Sequence, residues 1–186
     1  WDYGFGYFCS FAETLRRRTE GKINLFEDEK VHRIATFRQK CIFEGGLGVS
    51  FSDAGGGAHQ SLWLLSFFGK LYPDVPKPCR AYLVKTCERR GCFRFALMLR
   101  QLLWTTDETL PEEEDGTAGT YLFPDSQGNI STAENGTSVA AKAGSNAESH
   151  QHTDIGSFEI YLHGKILLHD IGSGEYNKDY FSPKRY

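Results

Sequence analysis

One stretch decides the predicted fold: Glu148-Ser-His-Gln-His-Thr-Asp-Ile-Gly-Ser-Phe158, which continues as Glu159-Ile-Tyr-Leu-His-Gly-Lys-Ile-Leu-Leu-His-Asp-Ile-Gly172. Near its start, alternate positions carry His150, His152 and Asp154. In an extended strand, residues i and i+2 point to the same face, so these side chains project together. Such an arrangement is typical of a sheet edge that presents a metal ion or a charged ligand.

A β-hairpin is predicted for the second half of this stretch, where two short apolar runs flank a glycine. We expect a three-residue loop, Leu162-His163-Gly164, with Gly164 in the left-handed conformation. Tyr161 then pairs with Lys165, and one face of the hairpin becomes a continuous apolar stripe. The stripe consists of Phe158, Ile160, Ile166 and Leu168.

Asp170 adds a further carboxylate at the end of the hairpin. In the predicted register it lies opposite Gly156, on the same face as His152. Because a strand rises about 3.3 Å per residue, Asp170 and His152 are on the order of 13 Å apart unless the chain bends, and Gly156 would allow that bend. Two histidines and two aspartates in this pattern are a moderately specific signal for a metal such as zinc, which spacing alone permits without proving. A histidine-rich loop satisfied by hydrogen bonds is the alternative.

The rest of the chain changes from a helical to a strand periodicity. Apolar residues recur at spacings of three and four in segments that predict helices, at 2–19, 27–38 and 59–71. The segment 81–104 predicts another helix or a broken pair of helices. An acidic run at 105–117 is typical of a solvated linker. Alternating segments then predict short strands, at 120–123, 128–132 and 138–142. We therefore expect an α+β fold in which helix hairpins precede an antiparallel sheet.

The composition excludes several classes of protein. Of the 186 residues, 40% are hydrophobic and 24% are charged, as in a soluble globular protein. The net charge of -3 provides no general field for polyanions, so local Arg and Lys groups would have to bind an acidic substrate. No apolar run approaches the roughly 20 residues of a membrane span. The five cysteines lack metal or disulfide spacing and are expected to be free thiols.

Several segments carry recognisable motifs. The most specific are ESHQHTDIGSF at 148–158, HGKILLHDIGSGEY at 163–176 and FSPKRY at 181–186. They resemble the heparinase II/III family of polysaccharide lyases, which includes alginate-lyase relatives. WDYGFGYFCSFAETLRRRTEGKINLFED at 1–28 is similar to the end of that family's helical domain, and TYLFPDSQG at 120–128 is similar to the start of its β domain.

The resemblance implies a division of the chain into three parts. The end of an α/α toroid would span 1–109, an acidic linker 110–117, and the start of an antiparallel β-sandwich 118–186. The chain would then be an internal piece of a longer lyase, with the natural N-terminus upstream of Trp1.

The resemblance also implies β-elimination on polysaccharides that contain uronic acid. A base removes the proton at C5, an acid protonates the departing oxygen at C4, and a neighbouring group neutralises the uronate carboxylate. His150 would lie on the substrate side. Tyr3 is the candidate acid and base, and Tyr186 is a further catalytic candidate. Tyr176 and Arg185 are the candidates for substrate binding.

A zinc ion in the β domain is implied as well. By resemblance its ligands would be His152, Asp170 and a third histidine downstream of this chain, while Asp154 would orient a histidine or the loop. The expected partner is an acidic polysaccharide, with no nucleic acid and no membrane span. A homodimer is left open, and so is the compartment, which would be periplasmic, secreted or bacterial cytoplasmic.

Two other functions stay open at this point. A non-catalytic carbohydrate-binding or structural protein would keep the sandwich and its zinc but lack the elimination chemistry. A metal-dependent hydrolase on a β scaffold would release saturated products and lose all activity with a chelator. Only a lyase yields a product with a C4–C5 double bond.

Overall fold

The computed structural model of the chain describes residues 3–44, 47–52, 54, 62–75, 95–105, 119–124, 128–145, 147, 152, 155–170, 172, 177–179 and 182. The chain divides into two compact units. The helical unit joins Trp1–Cys41 to His59–Asp115, and the sheet unit joins Ile42–Ala58 to Gly116–Tyr186. The α+β fold class is confirmed. The stretch Ile42–Ala58 belongs with the sheet, which differs from the expected helical part over 1–109.

Four α-helices and two 3₁₀ turns make up the described part of the helical unit. The helices are α1 (Gly4–Arg18), α2 (Glu29–Ala35), α3 (Leu62–Leu71) and α4 (Phe95–Trp104), and the turns are Leu25–Glu27 and Arg38–Cys41. Each predicted helical segment contains one of these helices, and α1 and α2 are shorter than predicted. The start of α2 is fixed by Asp28, whose Oδ1 accepts a hydrogen bond from Lys30 N at 2.8 Å, as an N-cap residue does. Residues 59–61 and 81–94 of the predicted helices lie outside the described residues.

Aromatic side chains dominate the core of the helical unit. Phe67 stacks on Trp104 with ring centroids 4.0 Å apart, and Phe68 stacks on Phe5 at 5.4 Å. Because each buried aromatic side chain removes roughly 150–250 Å² from water, these contacts between α1, α3 and α4 contribute much of the unit's stability. The core also contains Cys9, Ala12, Phe26, Val31, Ala35, Trp63, Leu64, Leu65 and Val75.

Two cysteines in the described residues are free and buried, Cys9 and Cys41. Burial raises the pKa of the Cys9 thiol far above its usual range, and burial raises that of Cys41 to a pKa of about 11. Both thiols are therefore protonated and unreactive near neutral pH. For these two positions the prediction of free thiols is confirmed.

A carboxylate is buried on α1. Glu13 is 1% exposed and accepts hydrogen bonds from Arg16 Nε at 2.8 Å and from Arg17 Nε at 2.6 Å. Burial by itself would raise the pKa of Glu13, but the two guanidinium groups outweigh burial, so the pKa is lowered. The folded helical unit therefore favours the ionised form of this side chain.

Glu13→Gln is expected to destabilise the helical unit by about 1–3 kcal/mol near neutral pH, because both arginines lose a buried charged partner. Since the folded-state pKa lies below the unfolded value of about 4.3, this contribution is present above that pH. It is lost as the pH falls through the folded pKa. Urea unfolding followed by the fluorescence of Trp63 and Trp104 measures both effects.

The matched control for this prediction is Glu29→Gln, which removes an exposed ion pair with Arg33 of 3.4 Å. Exposed pairs contribute little, so the control should change the free energy of unfolding by less than about 0.5 kcal/mol. Equal losses in the Glu13 and Glu29 variants would contradict the role of burial.

Five antiparallel strands form the sheet in the order β1-β2-β3-β4-β5. They are β1 (Gly119–Phe123), β2 (Gly128–Thr132), β3 (Thr137–Lys142), β4 (Phe158–Leu162) and β5 (Lys165–Leu168). The three strands predicted before the hairpin match β1, β2 and β3 to within one residue. Sequential hairpins therefore build the sheet as a meander.

The β4–β5 hairpin has a different register from the predicted one. Its loop consists of two residues, His163 and Gly164, which have φ values of 46° and 69°. Two left-handed residues form the turn whose twist matches that of the flanking strands. Tyr161 therefore pairs with Ile166 and not with Lys165, so the predicted three-residue loop is wrong. Gly164 is left-handed, as expected.

The buried face of β4 is the opposite of the predicted one. Glu159 is 0% exposed and Tyr161 is 2% exposed, whereas Phe158 is 50% exposed. Residues 42–44 and 47–52 contribute the segment that covers this face: the Phe43 ring lies 4.4 Å from that of Tyr161, and Ser50 N donates to Glu159 Oε1 at 3.1 Å. Side chains alternate along a strand, so contacts with a segment far away in sequence decide which face is buried. The face that carries Phe158, a residue of the predicted apolar stripe, is therefore not the buried face of β4.

Two turns of the sheet meet at Gly136. His163 N donates to Gly136 O at 3.0 Å, and Gly136 has a φ of 77°. A Cβ atom at this position would collide with the imidazole ring of His163. Gly136 therefore meets two requirements, a left-handed backbone and a close approach of two turns.

Gly136→Ala is expected to cost about 1–2 kcal/mol for a left-handed alanine, and a further amount for displacing the His163 ring. Hydrogen exchange of the β3 amides measures this loss in the sheet unit. Gly156→Ala is the matched control, since Gly156 has a φ of 84° and none of the described residues places an atom within 4 Å of where its Cβ would lie. When His163→Ala is added, Gly136→Ala and Gly156→Ala should lose equal stability. Equal losses in the presence of His163 would contradict the collision.

Candidate functional site

Two of the described site residues lie on the segments that flank the β4–β5 hairpin. His152 is half-buried in the segment before β4, and Asp170 is half-buried two residues after the end of β5. Between His152 and β4 the chain turns at Gly156, whose φ is 84°. Gly156 N donates to Lys142 O at 2.7 Å, and Lys142 N donates to Ser157 O at 2.9 Å, so the turn lies against the end of β3. Gly156, the residue expected to allow a bend, therefore lies in a turn.

Four hydrogen bonds among the described residues hold Asp170, and one of them runs from Ser50 Oγ to its backbone O at 3.5 Å. Its Oδ1 accepts from Gly172 N at 2.8 Å, its Oδ2 accepts from Ser157 Oγ at 3.4 Å, and its backbone N donates to Glu159 Oε1 at 3.4 Å. The predicted register is wrong at this end of the hairpin, because the observed register shifts between Tyr161 and Ile160, so that Leu168 pairs with Ile160 and not with Phe158. The backbone N of Gly172 and the hydroxyl group of Ser157, which directly precedes β4, orient the Asp170 carboxylate.

Glu159 is the residue that the sequence analysis missed. Its carboxyl group accepts hydrogen bonds from Ser50 N at 3.1 and 3.2 Å, from Ser50 Oγ, from Tyr161 OH at 2.8 Å and from Asp170 N at 3.4 Å. The sequence contained a signal for this residue. Because charged residues are almost never fully buried unless they are paired, a glutamate within a buried strand indicates hydrogen-bond partners. A glutamate in the middle of an apolar strand, with a tyrosine two positions later, marks the polar residues of a buried face.

Tyr161 is a donor in this cluster. Burial raises the pKa of Tyr161 far above the usual range, and the hydrogen bond to Glu159 and the negative charge of Glu159 raise it further. Its hydroxyl group also lies 3.4 Å from Gly48 O. Tyr161 therefore keeps its proton and links β4 to the segment that covers the sheet.

The other predicted site residues are less informative. Tyr3 directly precedes α1 in the helical unit, is 56% exposed, and meets Tyr7 edge-on with ring centroids 5.2 Å apart. The remaining candidates lie outside the described residues: His150, Asp154, Tyr176, Arg185 and Tyr186. Among the predicted site residues that the structure describes, contacts within the site are seen only around Asp170. The catalytic assignments stay predictions.

The donor types of the implied zinc site fit the described residues. Zinc accepts imidazole nitrogen and carboxylate oxygen, and His152 and Asp170 supply these, with the Nδ1 atom of His152 shielded from solvent. Each Asp170 oxygen accepts one hydrogen bond and keeps acceptor capacity for an ion. Among the described residues, no group of three or more His, Cys, Asp or Glu side chains is placed to hold a metal ion.

Comparisons with known proteins leave the family undetermined. No protein-family model matches the chain, and no curated protein matches it. In the part of the chain that the structure describes, no helix has both the length and the apolar character needed to cross a membrane.

Proposed function

We propose that this chain is part of a polysaccharide lyase that cleaves uronic-acid-containing polysaccharide by β-elimination. One observation carries the proposal: both arms of the stretch that resembles the heparinase II/III family meet at one end of the sheet. Ser157 Oγ donates to Asp170 Oδ2 at 3.4 Å there, and His152 lies on the same arm as Ser157, before the turn at Gly156. The resemblance supplies the chemistry, and the hairpin supplies a rigid support for it.

The proposed roles follow the requirements of elimination. An abstracted C5 proton leaves negative charge next to the uronate carboxylate, so a positive or hydrogen-donating group must neutralise it. We assign His150 to the substrate side, and Tyr3 to the acid and base roles, with Tyr186 as the second candidate. Tyr176 and Arg185 would bind the substrate, and a guanidinium group suits a carboxylate because it can form two parallel hydrogen bonds.

His152 and Asp170 would hold the zinc ion together with a further histidine. Bound zinc would supply a cross-link between the segment before β4 and the segment after β5. The contribution of Asp170 is an oriented carboxylate, since Ser157 and Gly172 each donate to one of its oxygens.

The finer architecture is part of the same proposal. We propose that α1 to α4 belong to an α/α toroid, in which each helix packs against neighbours on both sides. The exposed apolar side chains of α4 support this: Phe95, Leu99, Leu102 and Leu103. We also propose that the sheet is one layer of a β-sandwich, supported by the exposed apolar side chains on its strands: Leu122, Val139, Phe158 and Leu168.

The alternative is a non-catalytic carbohydrate-binding or structural protein with a zinc site. It is favoured by one observation: the best-formed polar cluster of the sheet unit, around Glu159, is completely buried. A buried cluster stabilises a fold but reaches no substrate.

The protein, loaded with zinc, is incubated with heparin, heparan sulfate, alginate and related uronates. Ultraviolet absorbance then follows the conjugated C4–C5 double bond, and a reducing-end assay follows all cleavage. We expect both signals to rise together on one of these substrates. Reducing ends without absorbance would indicate a hydrolase, and retention of the polysaccharide with neither signal would favour the binding protein.

A further inference from the structure

We infer that Glu159 is a positioning residue, which fixes the backbone of Asp170 so that the carboxylate of Asp170 faces its ligand in one orientation. This inference rests on the proposed function, since that function makes Asp170 a site residue. Glu159 itself is 0% exposed and reaches no substrate. It would act on the site only through Asp170.

The geometry of the cluster supports this role. Three separate segments converge on one carboxyl group: Ser50 from the covering segment, Tyr161 from β4 itself, and Asp170 from beyond β5. Ser50 Oγ also lies 3.5 Å from Asp170 O, so both backbone polar groups of Asp170 face this cluster. A buried carboxyl group is costly unless it is paired, and the hydrogen-bond partners described for Glu159 all donate to it.

The side chain of Asp170 is constrained as well as its backbone. With the backbone N bound to Glu159, the two carboxylate oxygens accept from Ser157 and Gly172 on opposite sides. A change at Glu159 would release the backbone bond and leave the carboxylate free to rotate with its segment. Residues that orient a metal ligand in this way typically change metal affinity by about 10–100-fold when they are replaced.

A purely stabilising role is the competing explanation, and the chain offers a matched control for it. Glu13 is also a buried carboxylate, paired with Arg16 and Arg17, but it lies in the helical unit. Glu13→Gln and Glu159→Gln both replace one buried carboxylate oxygen with an NH2 donor while keeping the side-chain volume. Only Glu159→Gln should change Asp170.

The full chain and both variants are compared by two measurements. Hydrogen exchange in the metal-free protein reports on the Asp170 and Ser50 amides, and competition with a chromophoric chelator gives the affinity for zinc. For Glu159→Gln we expect exchange at both amides to accelerate at least about tenfold relative to β2 and β3, and zinc affinity to fall about 10–100-fold. For Glu13→Gln we expect neither change. The cobalt(II) absorption spectrum should shift only in the Glu159 variant.

The outcomes separate this inference from the proposed function. Wild-type exchange at Asp170 in Glu159→Gln, or an equal loss of zinc affinity in both variants, would overturn the positioning role. If the wild-type protein takes up no zinc while exchange at Asp170 still accelerates in the variant, the zinc site fails and the positioning of Asp170 stands. Should Glu159→Gln not fold, Tyr161→Phe removes a single donor from the cluster, and the same two readouts should change in the same direction by a few-fold.

Discussion

Glu159→Ala is expected to destabilise the sheet unit by about 3–5 kcal/mol, the largest loss that we expect from a single substitution. The change leaves the donors of Ser50, Tyr161 and Asp170 buried without their acceptor, and each such donor costs about 1–3 kcal/mol. It also leaves a cavity beneath the segment that covers the sheet. Hydrogen exchange of the β3 amides measures the free energy of opening directly.

Two controls calibrate this result. Glu44 is an exposed glutamate of the same unit, and Glu44→Ala should change the free energy of opening by less than about 0.5 kcal/mol. Tyr161→Phe removes one hydrogen bond from the cluster and should cost roughly 1 kcal/mol. A loss below about 1 kcal/mol for Glu159→Ala would mean that water replaces the carboxyl group, and the anchoring role would be wrong.

His152→Ala is expected to lower the zinc content and the thermal stability of the protein together. A ligand that binds only the folded state stabilises it by about 4 kcal/mol at a thousandfold excess over its Kd, and most of that contribution disappears with a ligand residue. Metal analysis and calorimetry, with and without a chelator, measure the two quantities. After chelation, the variant and the wild-type protein should unfold at nearly the same temperature.

His169→Ala is the control for this prediction, because His169 is an exposed histidine next to Asp170. It should leave both quantities unchanged. If His152→Ala keeps its full zinc content and stability, His152 does not belong to the site. A loss in the His169 variant instead would move the site to that residue.

The strands were predictable from the sequence because local signals determine them. Alternating residues and the Gly and Asn turns located β1, β2 and β3 to within one residue. The register of the last hairpin was less accessible. A loop of Leu162-His163-Gly164 and a loop of His163-Gly164 both place Gly164 in the left-handed region. The two-residue loop also requires His163 to be left-handed, which its φ of 46° shows and which the sequence does not reveal.

The buried face of β4 could not be predicted from local pattern. Phe158 and Ile160 are the more apolar residues, yet Glu159 and Tyr161 face inward. Ser50 donates to Glu159 and Phe43 packs against Tyr161, each from more than one hundred positions away. That contact depends on tertiary structure, which periodicity does not encode. The same applies to Ile42–Ala58, which belongs to the same compact unit as the sheet although the surrounding sequence is helical.

The masses of the products formed in water enriched in heavy oxygen test the elimination claim most directly. Elimination breaks the bond between C4 and its glycosidic oxygen without adding water, so the product masses should sum to that of the parent chain and carry no heavy oxygen. Hydrolysis adds one water molecule at every cleavage. One heavy oxygen atom per cleaved bond would therefore contradict the lyase assignment.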